Sequence, residues 1–129
     1  MIQIERLDHL VLTVHDLPAT VDFYTRVLGM VEVTFGPNRK ALFFGRQRIH
    51  LHQRGREFEP KAAYPTAGSG DLCFTATTPM AEIMEHLAQC NVPILEGPVE
   101  RAGALGTMIS VYLRDPDQNL IEISNYLEQ

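Results

Sequence analysis

The sequence predicts an α+β fold built from two tandem βαβββ modules, and three observations carry that prediction. The hydrophobic pattern switches from strand-like to helix-like period and back in the order strand, helix, strand, strand, strand. That order occurs twice along the chain. In both halves a helix begins on a capping residue with a proline beside it.

Residues 7–14 (LDHLVLTV) are apolar and β-branched and read as the first strand. Asp16 stands where an N-cap belongs, with Pro18 in the first turn, where a missing N–H leaves nothing unpaired. Leu17, Val21, Tyr24 and Leu28 recur at helical spacing, and Gly29 supplies the C′ stop. Alternation over 30–35 predicts a second strand, turned by Gly36-Pro37-Asn38. A third strand follows at 40–44 and a fourth at 48–52, joined through Gly45-Arg46-Gln47.

Residues 53–69 are polar, hold Gly55, Pro60, Pro65 and Gly68, and show no period. Such a stretch inside a compact domain is unusual unless it links modules or covers a site. The pattern then restarts. Residues 70–77 (GDLCFTAT) read as a strand, with Asp8 and Asp71 expected to begin equivalent strands, and Thr78-Pro79 repeats the helix start. Met80, Ile83, Met84 and Leu87 form a helical stripe ending near Cys90-Asn91. Three strands are predicted at 93–99, 107–114 and 119–126, separated by 103–106 and by Asp115-Pro116-Asp117-Gln118. One domain of 129 residues thus divides into module one at 1–53, a linker at 54–69 and module two at 70–129. One module cannot cover both faces of its sheet. Two are expected to cup their sheets around a cavity with the helices outside.

Hydrophobic content of 45% and charged content of 21% are ordinary for a globular protein. The net charge is −5, and the densest basic stretch, 46–56, is interrupted by His50, His52 and Gly55. Nucleic-acid binding needs a basic footprint, so that class is set aside. No apolar run approaches the ~20 residues of a membrane span, and the first residues have no apolar leader, so neither a membrane nor a secreted location is expected. Cys73 and Cys90 lack metal-type spacing; Cys73, in an apolar strand, reads as a small buried hydrophobe. A reducing, cytoplasmic location follows as the expectation.

Three stretches taken together resemble the vicinal-oxygen-chelate superfamily of glyoxalase I, extradiol dioxygenases, fosfomycin-resistance enzymes, methylmalonyl-CoA epimerase and bleomycin-binding proteins. They are residues 7–14, then Asp22-Phe23-Tyr24 with Val27-Leu28-Gly29-Met30, then Asp115-Pro116-Asp117 with Asn119-Leu120-Ile121-Glu122. Their order and spacing span essentially the whole chain. Within the superfamily the likeness is greatest to small bacterial proteins described as dioxygenase-related, glyoxalase-domain or virulence proteins.

The resemblance implies a divalent metal (Fe²⁺, Mn²⁺, Ni²⁺ or Zn²⁺) held by residues of the first and last strands of each module. Carried over, those positions are His9, His52 and Glu122, with Leu72 where relatives commonly have His. His50, two residues from His52 and on the same strand face, is the alternative to it. His9, in an apolar run, and Glu122, in Leu120-Ile121-Glu122-Ile123, would be costly to bury without partners. Two imidazoles and a carboxylate suit those metals and leave coordination positions open. The implied activity is that of a metal-dependent enzyme on a small substrate with vicinal oxygens. It is either a glyoxalase-like lyase or isomerase, with Glu122 moving the proton, or an extradiol-type ring-cleaving dioxygenase. The alternative is a metal-free small-molecule binding protein of the bleomycin-resistance type, and relatives imply a homodimer.

The remaining candidates have plainer readings. His15, beside the helix cap, and His86, on the second helix, read as surface residues. Arg48, Arg101 and Arg114 could meet an anionic group, although surface arginines need no such partner. The family tends to place Gly where this chain has Gln118, and a left-handed Gln there costs about 1 kcal/mol.

Overall fold

The structure, a computed structural model, describes residues 1–127. Its elements run β1 (His9–Val14), α1 (Leu17–Arg26), β2 (Val31–Phe35), β3 (Arg39–Phe44), β4 (Gln47–Gln53), β5 (Asp71–Thr75), α2 (Met80–Gln89), β6 (Glu96–Gly103), β7 (Gly106–Arg114) and β8 (Leu120–Tyr126). The βαβββ order occurs twice. The chain divides into two compact units, Met1–Ala67 and Gly68–Gln129, so the polar stretch up to residue 67 belongs with unit one.

In unit one the sheet order is β1-β4-β3-β2, with β1 parallel to β4 and the other neighbours antiparallel. Successive side chains alternate across a strand, so each strand has one face for the helix and one away from it. Leu12, Val14, Leu42, Ile49 and Leu51 are buried with Phe23, Tyr24 and Val27 of the α1 segment. The helix starts as the sequence predicts. Asp16 Oδ1 accepts from the Ala19 amide at 3.0 Å, satisfying one of the free amides of the first turn. It closes on Gly29 at φ +70, where the Gly29 amide reaches Thr25 O at 3.1 Å and the Met30 amide reaches Tyr24 O at 3.0 Å.

Unit two repeats the plan with sheet order β5-β8-β7-β6 and β5 parallel to β8. Val111, Leu113, Ile121 and Ile123 are buried, as are Ile83 and Leu87 of α2. The sixth strand differs from expectation. It begins at Glu96 and continues through Gly103, so residues 103–106 are a tight hairpin and not a loop between elements. The displacement has a physical cause in a bulge between Glu96 and Val99. Gly97 sits there at φ +109, and a Cβ on it would run into Ser110 O of the neighbouring strand. Only glycine fits that position.

The turn between β7 and β8 explains its Asp-Pro-Asp-Gln-Asn sequence. Asp115 is 3% exposed, and its Oδ1 accepts from the Asp117 and Asn119 amides at 2.8 and 2.9 Å. Its Oδ2 accepts from Asn119 Nδ2 at 2.7 Å, while Asn119 Oδ1 accepts from the Gly70 amide at 2.7 Å. A buried carboxylate is stable only with such partners. Gln118, between them, is left-handed at φ 70, as its place in the turn predicts.

Two stability changes follow. Gln118→Gly relieves the left-handed strain and raises the unfolding free energy by about 1 kcal/mol. Asp115→Ala strands the amides and Asn119 and lowers it by about 2–4 kcal/mol. Urea unfolding of the two variants measures both, and an Asp115→Ala protein as stable as the parent would contradict the turn's role.

Candidate functional site

The polar face of unit one is set by the parallel register of β1 and β4. His9 pairs with Arg48, Val11 with His50 and Thr13 with His52. All six side chains leave the sheet on the face away from the hydrophobic core. Across that face the His9 and His50 rings stack, centroids 3.9 Å apart and planes within 8°. His9 Nδ1 lies 2.9 Å from Asp8 Oδ1, a contact in which the Nδ1–H donates and the carboxylate accepts. A carboxylate behind an imidazole is the usual way a metal-binding histidine is oriented. His50 Nε2 accepts from Arg48 Nε at 3.1 Å.

Burial pushes the His50 imidazole down to about 4, and the charges of His9, Arg48 and Arg39 add to the effect. His52 is also lowered, by burial first and Arg39 second. It is 5% exposed and packs edge-on to Phe58, centroids 5.6 Å apart. Both rings are therefore neutral near pH 7, the state in which imidazole ligates.

Unit two carries a matching face. Asp71 pairs with Leu120, Cys73 with Glu122 and Thr75 with Ser124. Ser124 Oγ donates to Glu122 Oε2 at 3.3 Å, lies 2.6 Å from Ser110 Oγ and 3.4 Å from Cys73 Sγ. Since Ser124 has one proton and gives it to Glu122, Ser110 donates to Ser124. Cys73 is exposed on this face and not a buried hydrophobe, because its strand position points away from the core that Leu72 and Phe74 face. Partial burial of the thiol against β8 raises its pKa, and the Glu122 carboxylate adds to that.

The two ladders can be superposed by their hydrogen bonds. The Arg48 amide bonds Asp8 O at 3.1 Å, and the Leu120 amide bonds Gly70 O at 3.0 Å. At the far end Gln53 Nε2 bonds Val14 O at 3.3 Å, and Asn125 Nδ2 bonds Ala76 O at 3.1 Å. These equivalences put Asp71 at the position of His9 and Glu122 at that of His50. They correct the alignment of the halves made from sequence. Asp8 corresponds to Gly70 and not to Asp71, Leu72 corresponds to Leu10 on the core side, and His52 corresponds to Ser124. A slip of one residue exchanges the faces of a strand, which is why a leucine stood where a carboxylate belongs.

The structure thus brings His9 and His50 together and places His52 two residues further along the same face. Glu122 shares its face with Asp71, Cys73 and Ser124. Among the described residues no group of three or more His, Cys, Asp or Glu side chains is drawn together to hold a metal. Among the described residues, too, no helix is long and apolar enough to cross a membrane. Asp71, Arg39, Phe35 and Phe58 carried no functional signal in the sequence; Asp71 alone was recoverable, by a correct register.

Comparisons with known proteins agree with this architecture. Residues 6–123 match the family model of the Glyoxalase/Bleomycin resistance protein/Dioxygenase superfamily. The chain belongs to that superfamily, the vicinal-oxygen-chelate proteins. It is 57% identical over 124 residues to virulence protein STM3117 of Salmonella typhimurium, covering 96% of this chain and 86% of that protein. The crystal structure of STM3117 superposes with a TM-score of 0.96, at 56% identity, over 98% of this chain and 100% of that one. The glyoxalase domain-containing protein RDO1 of Mycosarcoma maydis is 54% identical over 97% of this chain and 70% of its own length. Lactoylglutathione lyase from Agrobacterium tumefaciens superposes at TM-score 0.72 with 25% identity, over 95% of this chain and 94% of that one.

The lowered pKa of His50 fixes a sign. The unfolded imidazole takes up a proton near 6.5 and the folded one only near 4, so between those values the unfolded state binds more protons. The stability of the metal-free protein is therefore fully present above about pH 6.5 and falls as the pH drops toward 4. NMR titration of the His50 ring protons should give a midpoint far below 6.5. A His50→Asn variant should show a flatter stability profile across this window.

Proposed function

We propose that this chain is a metal-dependent enzyme that acts on a small substrate through two vicinal oxygens. Its reaction is that of a glyoxalase-like lyase or isomerase, or of an extradiol-type ring-cleaving dioxygenase. One observation carries the reading. Two imidazoles, His9 and His50, occupy ladder positions in unit one that carboxylates, Asp71 and Glu122, occupy in unit two.

The donor chemistry fits a divalent ion. Neutral imidazole with carboxylate suits Fe²⁺, Mn²⁺, Ni²⁺ or Zn²⁺. The proposed ligands are His9, Glu122 and a second imidazole, His50 by register with His52 as the alternative. Asp71 is a fourth donor by the same register. A bound ion supplies charge withdrawal from two adjacent substrate oxygens. This chain's residues do the rest. Asp8 holds the His9 ring, and the Ser124 hydroxyl holds one oxygen of Glu122 in place for accepting a proton from carbon. We extend the proposal to a homodimer, which sedimentation at micromolar concentration checks; a monomer ends that part of it.

One contact favours a second reading, a metal-free small-molecule binding protein of the bleomycin-resistance type. Arg48 already donates to the His50 Nε2 lone pair. The two readings separate by metal analysis after incubation with Fe²⁺, Mn²⁺, Ni²⁺ or Zn²⁺. The enzyme reading expects stoichiometric metal in the parent and at least a tenfold loss of affinity in His50→Ala and in Glu122→Gln. It expects a smaller loss in His52→Ala. A parent protein that takes up none of the four ions sinks the enzyme reading and leaves the binder.

A further inference from the structure

We propose that unit one carries a binding site for a compact oxyanion, a carboxylate or a phosphate group, formed by Arg39 and Arg48, whose guanidinium groups both lie over the Phe35 ring. The guanidinium carbon of Arg39 lies 5.5 Å from the Phe35 ring centroid, and that of Arg48 lies 4.6 Å from it. Arg39 also lies 4.3 Å from the Phe58 ring. Both arginines are half-buried on the polar face, Arg39 on β3 and Arg48 on β4.

Three physical points turn this arrangement into a site. Stacking on an aromatic ring uses the flat face of a guanidinium and leaves its in-plane N–H groups pointing outward, in the fork that matches a carboxylate or phosphate. Of the five N–H groups of each arginine, Arg48 gives one to His50, and Arg39 makes no protein hydrogen bond among the described residues. Neither guanidinium has a carboxylate within ion-pair distance among the described residues. The nearby Asp8 is bonded to His9 at 2.9 Å and lies 3.7 Å from Arg6.

Some of the chain's other arginines are paired with acids. Arg26 pairs with Asp22 at 3.2 Å and Arg101 with Glu96 at 3.0 Å. Two stiffened, half-desolvated cations with no acid between them repel one another, and an anion from solution removes that repulsion. The site stands on unit one alone. Its assignment as the anchor for the acidic group of the substrate rests on the reading of the preceding subsection.

The test uses the full chain in EDTA, titrated with inorganic phosphate and separately with oxalate, read from the guanidinium Nε–H resonances by NMR. Saturable shifts of the Arg39 and Arg48 signals are expected with at least one probe. The probe that binds more tightly distinguishes a phosphate from a carboxylate source. Arg39→Gln and Arg48→Gln should each raise the dissociation constant about tenfold or more, the loss of one charge-assisted contact. Arg39→Lys, which keeps the charge and loses the fork, should fall between. Arg101→Gln should leave binding unchanged. Shifts that do not saturate overturn the proposal, and so does weakening by Arg101→Gln equal to that of the other variants. Because EDTA removes metal, a negative result leaves the metal reading standing, and a failed metal analysis leaves the anion site to be decided here.

Discussion

The register of two parallel strand pairs is the constraint on which the rest depends. Strand side chains alternate, so a shift of one residue between β1 and β4 would send the histidines into the core and the leucines into solvent. Burying Leu12, Val14, Ile49 and Leu51 therefore fixes, at the same stroke, where His9, His50 and His52 point. In unit two Ile121 and Ile123 do the same for Glu122 and Ser124. Hydrophobic burial is the large term here, at roughly 1.5–3 kcal/mol for each fully buried aliphatic side chain. Polar residues gain their positions from it.

Side-chain amides then pin each ladder at its end. Gln53 Nε2 bonds Val14 O and His15 O, and its Oε1 accepts from the Leu17 amide, so one residue of β4 fastens the junction of β1 and α1. Asn125 fills this role in unit two through Ala76 O and Thr78 O. Asn119 and Asp115 secure the other end of β8 against Gly70. The chemistry-bearing face of each unit is thus bounded by amides, with its variable residues between them.

Most of the architecture was legible because periodicity and punctuation agree. Asp16 and Gly29 bracket the first helix, Pro79 opens the second, and the restart near residue 70 exposes the repeat. The site was legible only in part. His9 and Glu122 stand out as polar residues in apolar strands. The choice between His50 and His52, and the identity of the position matching His9, depend on backbone hydrogen bonds between segments about forty or fifty residues apart. Periodicity cannot supply a register between strands that are not neighbours in sequence. Strand β6 was misplaced for a related reason, since a bulge at Gly97 shifts the ladder without leaving a break in hydrophobic pattern. Arg39 was invisible because nothing in a sequence distinguishes an arginine resting on phenylalanine rings from one paired with an acid.

The parallel pairs have a kinetic consequence. The hairpins joining β2 to β3 and β3 to β4 close short loops and form early, whereas β1 meets β4 only after the whole intervening chain has been gathered. Contacts of long sequence separation carry a larger closure entropy and slow folding. The faces that bear the histidines and the carboxylates are consequently completed among the last steps of folding, after the hairpins beside them are in place.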